Sequence, residues 1–194
     1  MRKTVVILLF EDVEVLDFAG PFEVFAVTDS LRSNQAFRVV TAAQHRGTLR
    51  ARNGLGVVPD YLLEECPAAH ILVIPGGLGT RRFIANDVVI KWIQERSRSS
   101  EVTMSVCTGS LLLAKAGLLD GLKATTHHGA MDVLRGLAPL ATVDPGPRFH
   151  DNGKILTAAG ISAGIDCSLH LVGRLHGEDA AVSTAAHMEY ERRH

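Results

Sequence analysis

The chain has 194 residues, of which 46% are hydrophobic and 21% charged, proportions that are typical of a globular domain with a sizeable core. The formal net charge of −1 excludes the strong basic field expected of a protein that binds nucleic acid or anionic lipid. Three cysteines without a secretory signal indicate free thiols in a reducing compartment, so we expect a cytoplasmic protein.

The first half of the chain alternates short apolar runs with helical patterns. Its N-terminus carries Arg2 and Lys3 like a secretory signal, but the apolar run is too short and acidic residues follow it. We therefore interpret 4–10 as a buried strand. A helix is expected to begin at Gly20-Pro21, because proline suits the first helical position. Further strands are predicted at 37–43, 55–60 and 70–77.

The second half continues the same alternation. The pattern predicts an amphipathic helix over 87–98, a strand over 102–106 and a helix over 109–116 that Gly117 ends. The remaining strands are expected over 123–128 and 154–160, and the remaining helices over 130–137, 162–177 and 178–190. No apolar run is long enough for a transmembrane helix, so we expect no membrane partner.

Strands and helices that alternate in this way predict an α/β fold with a mostly parallel sheet and helices on both faces. The predicted strands are continuously apolar, as burial on two faces requires. Internal repeats and linkers are absent from the sequence, so residues 1–194 are expected to form one domain.

In an open parallel sheet, ligands bind outside the carboxyl ends of the strands. The residues that follow the predicted strands are therefore the candidates for a site. They bring carboxylates, glycine amides, a thiol and imidazoles to one edge of the sheet, and they are Glu14, Asp17, Gly76, Gly77, Cys107, Thr108, His127, His128 and Ile161.

Cys107 lies at the junction between a predicted strand and a predicted helix, with Gly109 close behind it. A sharp turn at such a junction presents a nucleophile clear of the sheet, and the amides of the following helix would lower the pKa of the thiol. We therefore predict a nucleophile elbow. The alternative is a buried structural cysteine, and the motif is weakened by Ser105, which stands where the full elbow motif has glycine.

A thiolate that attacks an electrophile needs hydrogen-bond donors where negative charge develops. We expect the backbone N–H groups of Thr108 and Gly77 to form this oxyanion hole. The pair Gly76-Gly77 also suits a simple turn with positive φ.

Asp17 and Glu14 compete for the role of the acid that exchanges protons with the substrate. The alternatives are a solvated loop carboxylate or, for Asp17, a helix cap. Asp17 stands between Leu16 and Phe18, and this apolar setting makes it the better candidate for a perturbed carboxyl group.

His127 follows a predicted strand without an assigned task, and a histidine held by hydrogen bonds is as plausible there as a catalytic one. The sequence has no paired Cys-x-x-Cys and no His-Glu-x-x-His motif, and the glycines at 76–81 lack the spacing of nucleotide-binding loops. We therefore predict neither a metal nor a cofactor.

At these residues the sequence resembles the ThiJ/PfpI superfamily, whose members share a flavodoxin-like, class-I glutamine-amidotransferase-like three-layer sandwich. The segments that carry the resemblance are FEDVEVLDFAGPFEVF (10–25), ILVIPGG (71–77), SVCTGSLLLAKAGLLDGLKATTH (105–127) and ILTAAGISAGID (155–166). Within the superfamily the chain looks most like the isonitrile hydratase branch and the similar sensor domains of AraC-type regulators.

The resemblance implies roles for the matching residues. Cys107 would be the nucleophile, Asp17 its acid/base partner, and Thr108 would orient water or the acid. In the wider superfamily a glutamate near the first strand hydrogen-bonds the cysteine, and Glu14 matches that position. Superfamily peptidases and amidases have histidine directly after the cysteine, so the threonine in this chain argues against peptide cleavage.

The branch usually has tryptophan after Thr-Thr-His, where this chain has His128. We expect that residue to shape the substrate pocket together with His127 and Ile161.

The resemblance implies an isonitrile hydratase-like enzyme that adds water to a small electrophile without a cofactor and acts as a homodimer. One alternative is a sensor domain related to AraC-type regulators, but these carry a C-terminal helix-turn-helix region for which we expect no room after 178–190. Another is a glyoxalase- or deglycase-like enzyme or a redox-sensing thiol.

Overall fold

The computed structural model describes residues 1–193. The strands in chain order are β1 (Lys3–Leu9), β2 (Phe37–Ala43), β3 (Leu49–Arg50), β4 (Gly56–Val57), β5 (Tyr61–Leu62), β6 (Ile71–Ile74), β7 (Val102–Val106), β8 (Lys123–Ala124), β9 (Thr142–Val143), β10 (Phe149–Asp151) and β11 (Ile155–Ala158). The α-helices are α1 (Val15–Leu31), α2 (Thr80–Phe83), α3 (Asp87–Ser99), α4 (Gly109–Lys115), α5 (Met131–Leu137), α6 (Ala163–His176) and α7 (Glu178–His187).

A seven-stranded sheet in the order β10-β11-β7-β6-β1-β2-β5 forms the centre of the molecule. All its strands are parallel except β10, which runs antiparallel to β11. Helices α1, α6 and α7 pack against one another as one group, and α2, α3 and α5 pack around α4 as another. The predicted α/β sandwich, mostly parallel with a helical layer on each face, is confirmed.

The central strands form the core of this sandwich. Every residue of β6 and β7 is buried, as are the last five residues of β1. This burial explains why these strands are continuously apolar in sequence, since each of their two faces packs under helices. The loops that follow them at the carboxyl edge are thereby held on a rigid base.

Helix α1 begins at Val15, so the expected start at Gly20-Pro21 is wrong. Glu14 has extended backbone angles and precedes the helix, and its N–H donates to the carbonyl of Gly76 at 2.9 Å. Pro21 lies inside the helix, where its missing N–H removes one backbone hydrogen bond. The earlier start moves Asp17 from a loop into the first helical turn.

Several short elements were not predicted, and two predicted strands shrink. Strands β5 and β10 at the two sheet edges, together with β3, β9 and α2, have two to four residues each, too few to show a period. The segment 55–60 contributes only β4, which pairs with β3, and 123–128 contributes only β8, which pairs with β9. Both pairs lie outside the central sheet because neither joins its hydrogen-bonded order.

Within residues 1–193, none of the helices combines the length and the apolar character needed to cross a bilayer.

Candidate active site

Three separate loops meet around Gly76, directly after β6. A side chain there would place its Cβ 2.5 Å from the backbone nitrogen of Thr108 and 2.9 Å from Oδ2 of Asp17. Both distances are shorter than real Cβ contacts, so only glycine allows this approach. The carboxyl ends of β1, β6 and β7 therefore bring the predicted carboxylate, glycine and cysteine segments together.

Cys107 occupies a tight turn between β7 and α4 with a φ of 55°, a region that non-glycine residues rarely adopt. Its N–H donates to the carbonyls of Ala158 and Ala159 at 3.1 and 2.8 Å, which hold the turn against β11. Gly109 is required behind it, because a Cβ there would lie 2.0 Å from the carbonyl oxygen of Ile74. Cys107 is 6% exposed and lines a pocket, so it is neither fully buried nor free in solvent.

Asp17 is completely buried, although it is a carboxylic acid. Its Oδ2 accepts a hydrogen bond of 3.0 Å from the N–H of Gly76, while Oδ1 has no hydrogen-bond partner among residues 1–193. Burial raises the pKa of Asp17 to about 7, and the nearby Glu14 adds to the rise. The hydrogen bond from Gly76 opposes this shift only in part.

The thiol of Cys107 has a raised pKa of about 12, so the expected lowering by the following helix is wrong. Burial is the largest cause, and the adjacent carboxyl of Asp17 adds to it. The backbone N–H groups of Thr108 and Ile161 point at the sulfur and oppose the rise without overcoming it. A helix of only seven residues does not offset this desolvation.

The N–H groups of Gly76 and Gly77 both donate to side chains of the protein. The prediction that Gly77 contributes to the oxyanion hole is therefore wrong. The N–H of Gly77 donates to Oγ1 of Thr108 at 2.9 Å, and that of Gly76 is taken by Asp17. The second N–H beside the sulfur belongs to Ile161, which was expected only to line the pocket. Ile161 has a φ of 48°, and nothing in its residue type signals this conformation because β-branched residues avoid it.

The hydroxyl of Thr108 bonds within the protein instead of reaching Asp17. It accepts from Gly77 N–H, lies 3.2 Å from the carbonyl oxygen of Gly77, and accepts from the hydroxyl of Thr80 at 3.2 Å. The implied role in orienting water or the acid does not match these contacts. The hydroxyl instead holds the glycine turn against the start of α4.

Glu14 lines the pocket, but the carboxyl group that is coupled to the thiol is that of Asp17. Asp17 lies in the first turn of α1 with its Oδ2 against the Gly76 loop, and its charge raises the pKa of the thiol. The proposed match of Glu14 to the superfamily's cysteine-bound glutamate stays a prediction.

His127 lines the pocket, whereas His128 does not. The Nδ1 of His127 accepts from the N–H of Gly129 at 3.2 Å, and burial lowers the pKa of the ring, which favours its neutral form. His128 is exposed and its ring centre lies 4.1 Å from that of His127. The expectation that His128 shapes the pocket together with His127 is not met, because His128 is not among the lining residues.

The pocket over Cys107 has a volume of about 180 Å³ and is lined by Glu14, Arg52, Gly77, Leu78, Arg81, Cys107, Thr108, His127 and Ile161. Sequence reasoning missed Arg52, Leu78 and Arg81, since they lie in short segments that carry no recognisable motif. Four larger cavities, of about 240, 400, 560 and 580 Å³, contain neither Cys107 nor Asp17 in their lining. The reactive side chains of this pocket, and not its volume, therefore distinguish it from the other cavities. In the part of the chain described, no three His, Cys, Asp or Glu side chains are grouped as a metal site would need.

Comparison with known proteins gives relatives of two kinds. Isonitrile hydratase of Pseudomonas putida is 32% identical over 183 residues, which cover 94% of this chain and 76% of that protein. The HTH-type transcriptional regulator GbdR of Pseudomonas aeruginosa is 28% identical over 185 residues, which cover 95% of this chain but only 50% of the regulator. The similarity therefore extends to an enzyme and to one half of a regulator.

The same fold occurs in the crystal structure of a ThiJ/PfpI family protein from Pseudomonas syringae, with a TM-score of 0.89 and 26% identity. The match covers 100% of this chain and 77% of that one. The sequence model of the DJ-1/PfpI family matches residues 3–174, which is most of the chain. The chain therefore belongs to the DJ-1/PfpI family, as its resemblance to the ThiJ/PfpI superfamily predicts.

Proposed function

We propose that this protein is a cofactor-independent hydratase that converts small isonitriles into N-substituted formamides. The observation that carries the proposal is the pairing of Cys107 with Asp17, a buried carboxyl group that has one oxygen without a partner. A buried, unpartnered carboxyl destabilises a fold, and such groups are found preferentially at functional sites. The 32% identity to isonitrile hydratase supplies the reaction class.

In the first step, Oδ1 of Asp17 accepts the proton of the Cys107 thiol. The resulting thiolate is stabilised by the N–H groups of Thr108 and Ile161, which point at the sulfur. The thiolate adds to the terminal carbon of the isonitrile, and Asp17 returns the same proton to that carbon. The product is a thioimidate, in which the carbon carries sulfur, hydrogen and a double bond to nitrogen.

In the second step, water adds to the thioimidate carbon and Asp17 relays a water proton to the nitrogen. The carbon–sulfur bond then breaks, the hydroxyl becomes the carbonyl of the formamide, and the remaining proton returns to sulfur. Overall one isonitrile and one water give one formamide, and the thiol is regenerated. The pocket of about 180 Å³ suits small substrates.

The regulator-like alternative is a sensor that binds its ligand at the same pocket without turnover. The specific observation in its favour is the 28% identity to GbdR over nearly all of this chain. The paired Cys107 and Asp17 favour the enzyme, because binding alone needs neither a nucleophile nor a buried acid. We further propose a homodimer in the cytoplasm, in keeping with the family resemblance and the three free cysteines.

The test is incubation of the purified protein with n-butyl isonitrile, with formamide followed by NMR and adducts followed by peptide mass spectrometry. We expect N-butylformamide from the wild type and from Cys66→Ala, a matched control at another buried free cysteine. We expect none from Cys107→Ala, and a transient adduct of the full isonitrile mass on the Cys107 peptide in the wild type.

Formamide production by Cys107→Ala at the wild-type rate would refute the mechanism. Binding of the isonitrile by the wild type without any turnover would instead establish the sensor. Conversion of methylglyoxal to lactate in the absence of isonitrile turnover would favour the glyoxalase-like alternative.

A further inference from the structure

Two arginines from separate segments of the chain line the pocket over Cys107. Arg52 begins a 3₁₀ turn (Arg52–Gly54) after β3, and its N–H donates to the carbonyl of Val13 at 2.8 Å. Val13 in turn forms a β-bridge with Gly77, so Arg52 is anchored to the loop that carries the glycine turn. Arg81 lies on α2, four residues beyond that glycine. Both guanidinium groups are thus carried by segments that contact the reaction site.

Neither guanidinium group has a partner within the described part of the chain. Within residues 1–193, the side chains of Arg52 and Arg81 form no ion pair and no hydrogen bond, although both line the pocket. Their sequence neighbours differ in this respect. Arg82 pairs with Asp12 at 2.9 Å, and Arg50 donates to the carbonyl of Gly54 at 3.2 Å. Of these four arginines, the two without partners are therefore the two that line the pocket.

The charges that line the pocket do not balance. Glu14 is the one carboxylate among the lining residues, against the two guanidinium groups of Arg52 and Arg81. Asp17 lies behind Gly76 and is not part of the lining. Arg52 is half-buried, so its charge is less screened by water than that of a fully exposed arginine. The pocket lining therefore carries a net positive charge.

We propose that Arg52 and Arg81 form a carboxylate-binding subsite next to Cys107, and that the preferred substrates carry a carboxylate close to the reacting carbon. A guanidinium group presents a planar fork of N–H donors that matches the two oxygens of a carboxylate. That the reacting group is an isonitrile rests on the proposed function. Together with the carboxylate, it makes the substrate class a short isocyano carboxylate. Its hydration yields an N-formyl amino acid, with one water consumed for each isonitrile.

The first test uses alkylation of Cys107, which needs only a reactive thiol below the arginines. The rate of labelling by anionic iodoacetate is divided by the rate for neutral iodoacetamide, and peptide mass spectrometry separates Cys107 from the other two cysteines. We expect Arg52→Gln and Arg81→Gln each to lower this ratio about 5- to 10-fold. Arg82→Gln is the matched control, because Arg82 pairs with Asp12, and it should leave the ratio unchanged.

The second test compares turnover of isocyanoacetate with that of its neutral methyl ester. We expect the wild type to prefer the carboxylate, and Arg52→Gln and Arg81→Gln to lose that preference through a raised KM for the carboxylate alone. An alkylation ratio that falls in the arginine variants, without formamide from any isonitrile, would support the subsite and refute the proposed function. An alkylation ratio that neither arginine alters, or a Cys107 that neither reagent labels, would overturn the subsite itself.

Discussion

Oδ2 of Asp17 accepts a hydrogen bond from the N–H of Gly76 at 3.0 Å, whereas the equally buried Oδ1 has no partner among residues 1–193. This one-sided arrangement orients the carboxyl group and leaves one oxygen available for proton transfer. Asp17 is carried by α1 and accepts this hydrogen bond from the loop after β6. Two elements fix the acid beside Cys107 before any substrate arrives.

We predict that the reactivity of Cys107 increases as the pH rises through about 7, the raised pKa of Asp17. Below that pH the carboxyl group is protonated and cannot accept the thiol proton, and above it the carboxylate can. Asp17→Asn should abolish this inflection and lower the rate of turnover at least about 100-fold, because the acid that exchanges protons with the substrate is lost. Rates measured between pH 5 and 9 provide the check.

Glu14→Gln is the matched control for this pH dependence. Glu14 lines the same pocket but is not the carboxyl coupled to the thiol, so the inflection should persist with a small shift to lower pH. Loss of the inflection in Glu14→Gln and its retention in Asp17→Asn would assign the acid to Glu14 instead.

We predict that Asp17→Asn stabilises the fold at high pH. The pKa of Asp17 is raised from 3.8 to about 7, so the folded state favours the protonated acid and loses stability as the pH rises between these values. The increase in unfolding free energy of the Asp17→Asn variant should be absent near pH 4 and reach at most about 4 kcal/mol above pH 7. Urea unfolding at pH 4, 6 and 8 measures this difference.

A second buried carboxyl shows the opposite arrangement and serves as the comparison. Asp29 pairs with Arg2 and accepts the N–H groups of Ala36 and Phe37 at 2.9 Å each. Asp29→Asn should therefore destabilise the protein at pH 8, by about 2 kcal/mol. If both Asn variants changed stability in the same direction, the distinction between a functional and a structural carboxyl would be wrong.

We predict that Gly76→Ala disrupts the site, because its Cβ would lie 2.5 Å from the backbone nitrogen of Thr108. The overpacking should cost about 1–3 kcal/mol of unfolding free energy and slow the alkylation of Cys107. Gly136→Ala on α5 has no atom within 4 Å of the new Cβ and should stabilise the protein by about 0.5–1 kcal/mol. Equal effects of the two alanines in guanidinium unfolding would contradict the close approach at Gly76.

We predict that Thr108→Val lowers stability by about 1–3 kcal/mol, because the buried N–H of Gly77 loses its acceptor. Thr108→Ser keeps the hydroxyl and should retain most of the stability and activity. The measurement is the unfolding free energy of both variants together with the turnover rate. A valine variant as stable as the serine variant would show that the hydroxyl does not hold the glycine turn.

The sequence predicted the centre of the fold well. The strands at 37–43 and 102–106 have the expected bounds, because continuous apolar runs between turn residues leave little choice of structure. The turn at Cys107 was also predictable, since Gly109 follows it at a strand-to-helix junction. Edge elements such as β5 and β10 were not predicted, because two or three residues carry no period.

The site was predicted in composition but not in its connections. Cys107, Asp17 and the two glycines were expected at one edge of the sheet, and the structure brings them together. The prediction that the N–H of Gly77 faces the sulfur was wrong, because this N–H donates to a threonine hydroxyl 31 positions away. Such pairings depend on contacts between distant segments, which local sequence does not encode.

By itself, the sequence determined the family through the resemblance of four motif segments. It also determined the parallel sheet and the position of Cys107 on its turn, because apolar periodicity and glycine placement are local properties of the chain. Only the tertiary structure decided that Asp17, and not Glu14, is coupled to the thiol, and that Arg52 enters the pocket. It also decided the raised pKa values of Asp17 and Cys107. Burial and the distance between charges set those values, and both arise only when separate loops pack together.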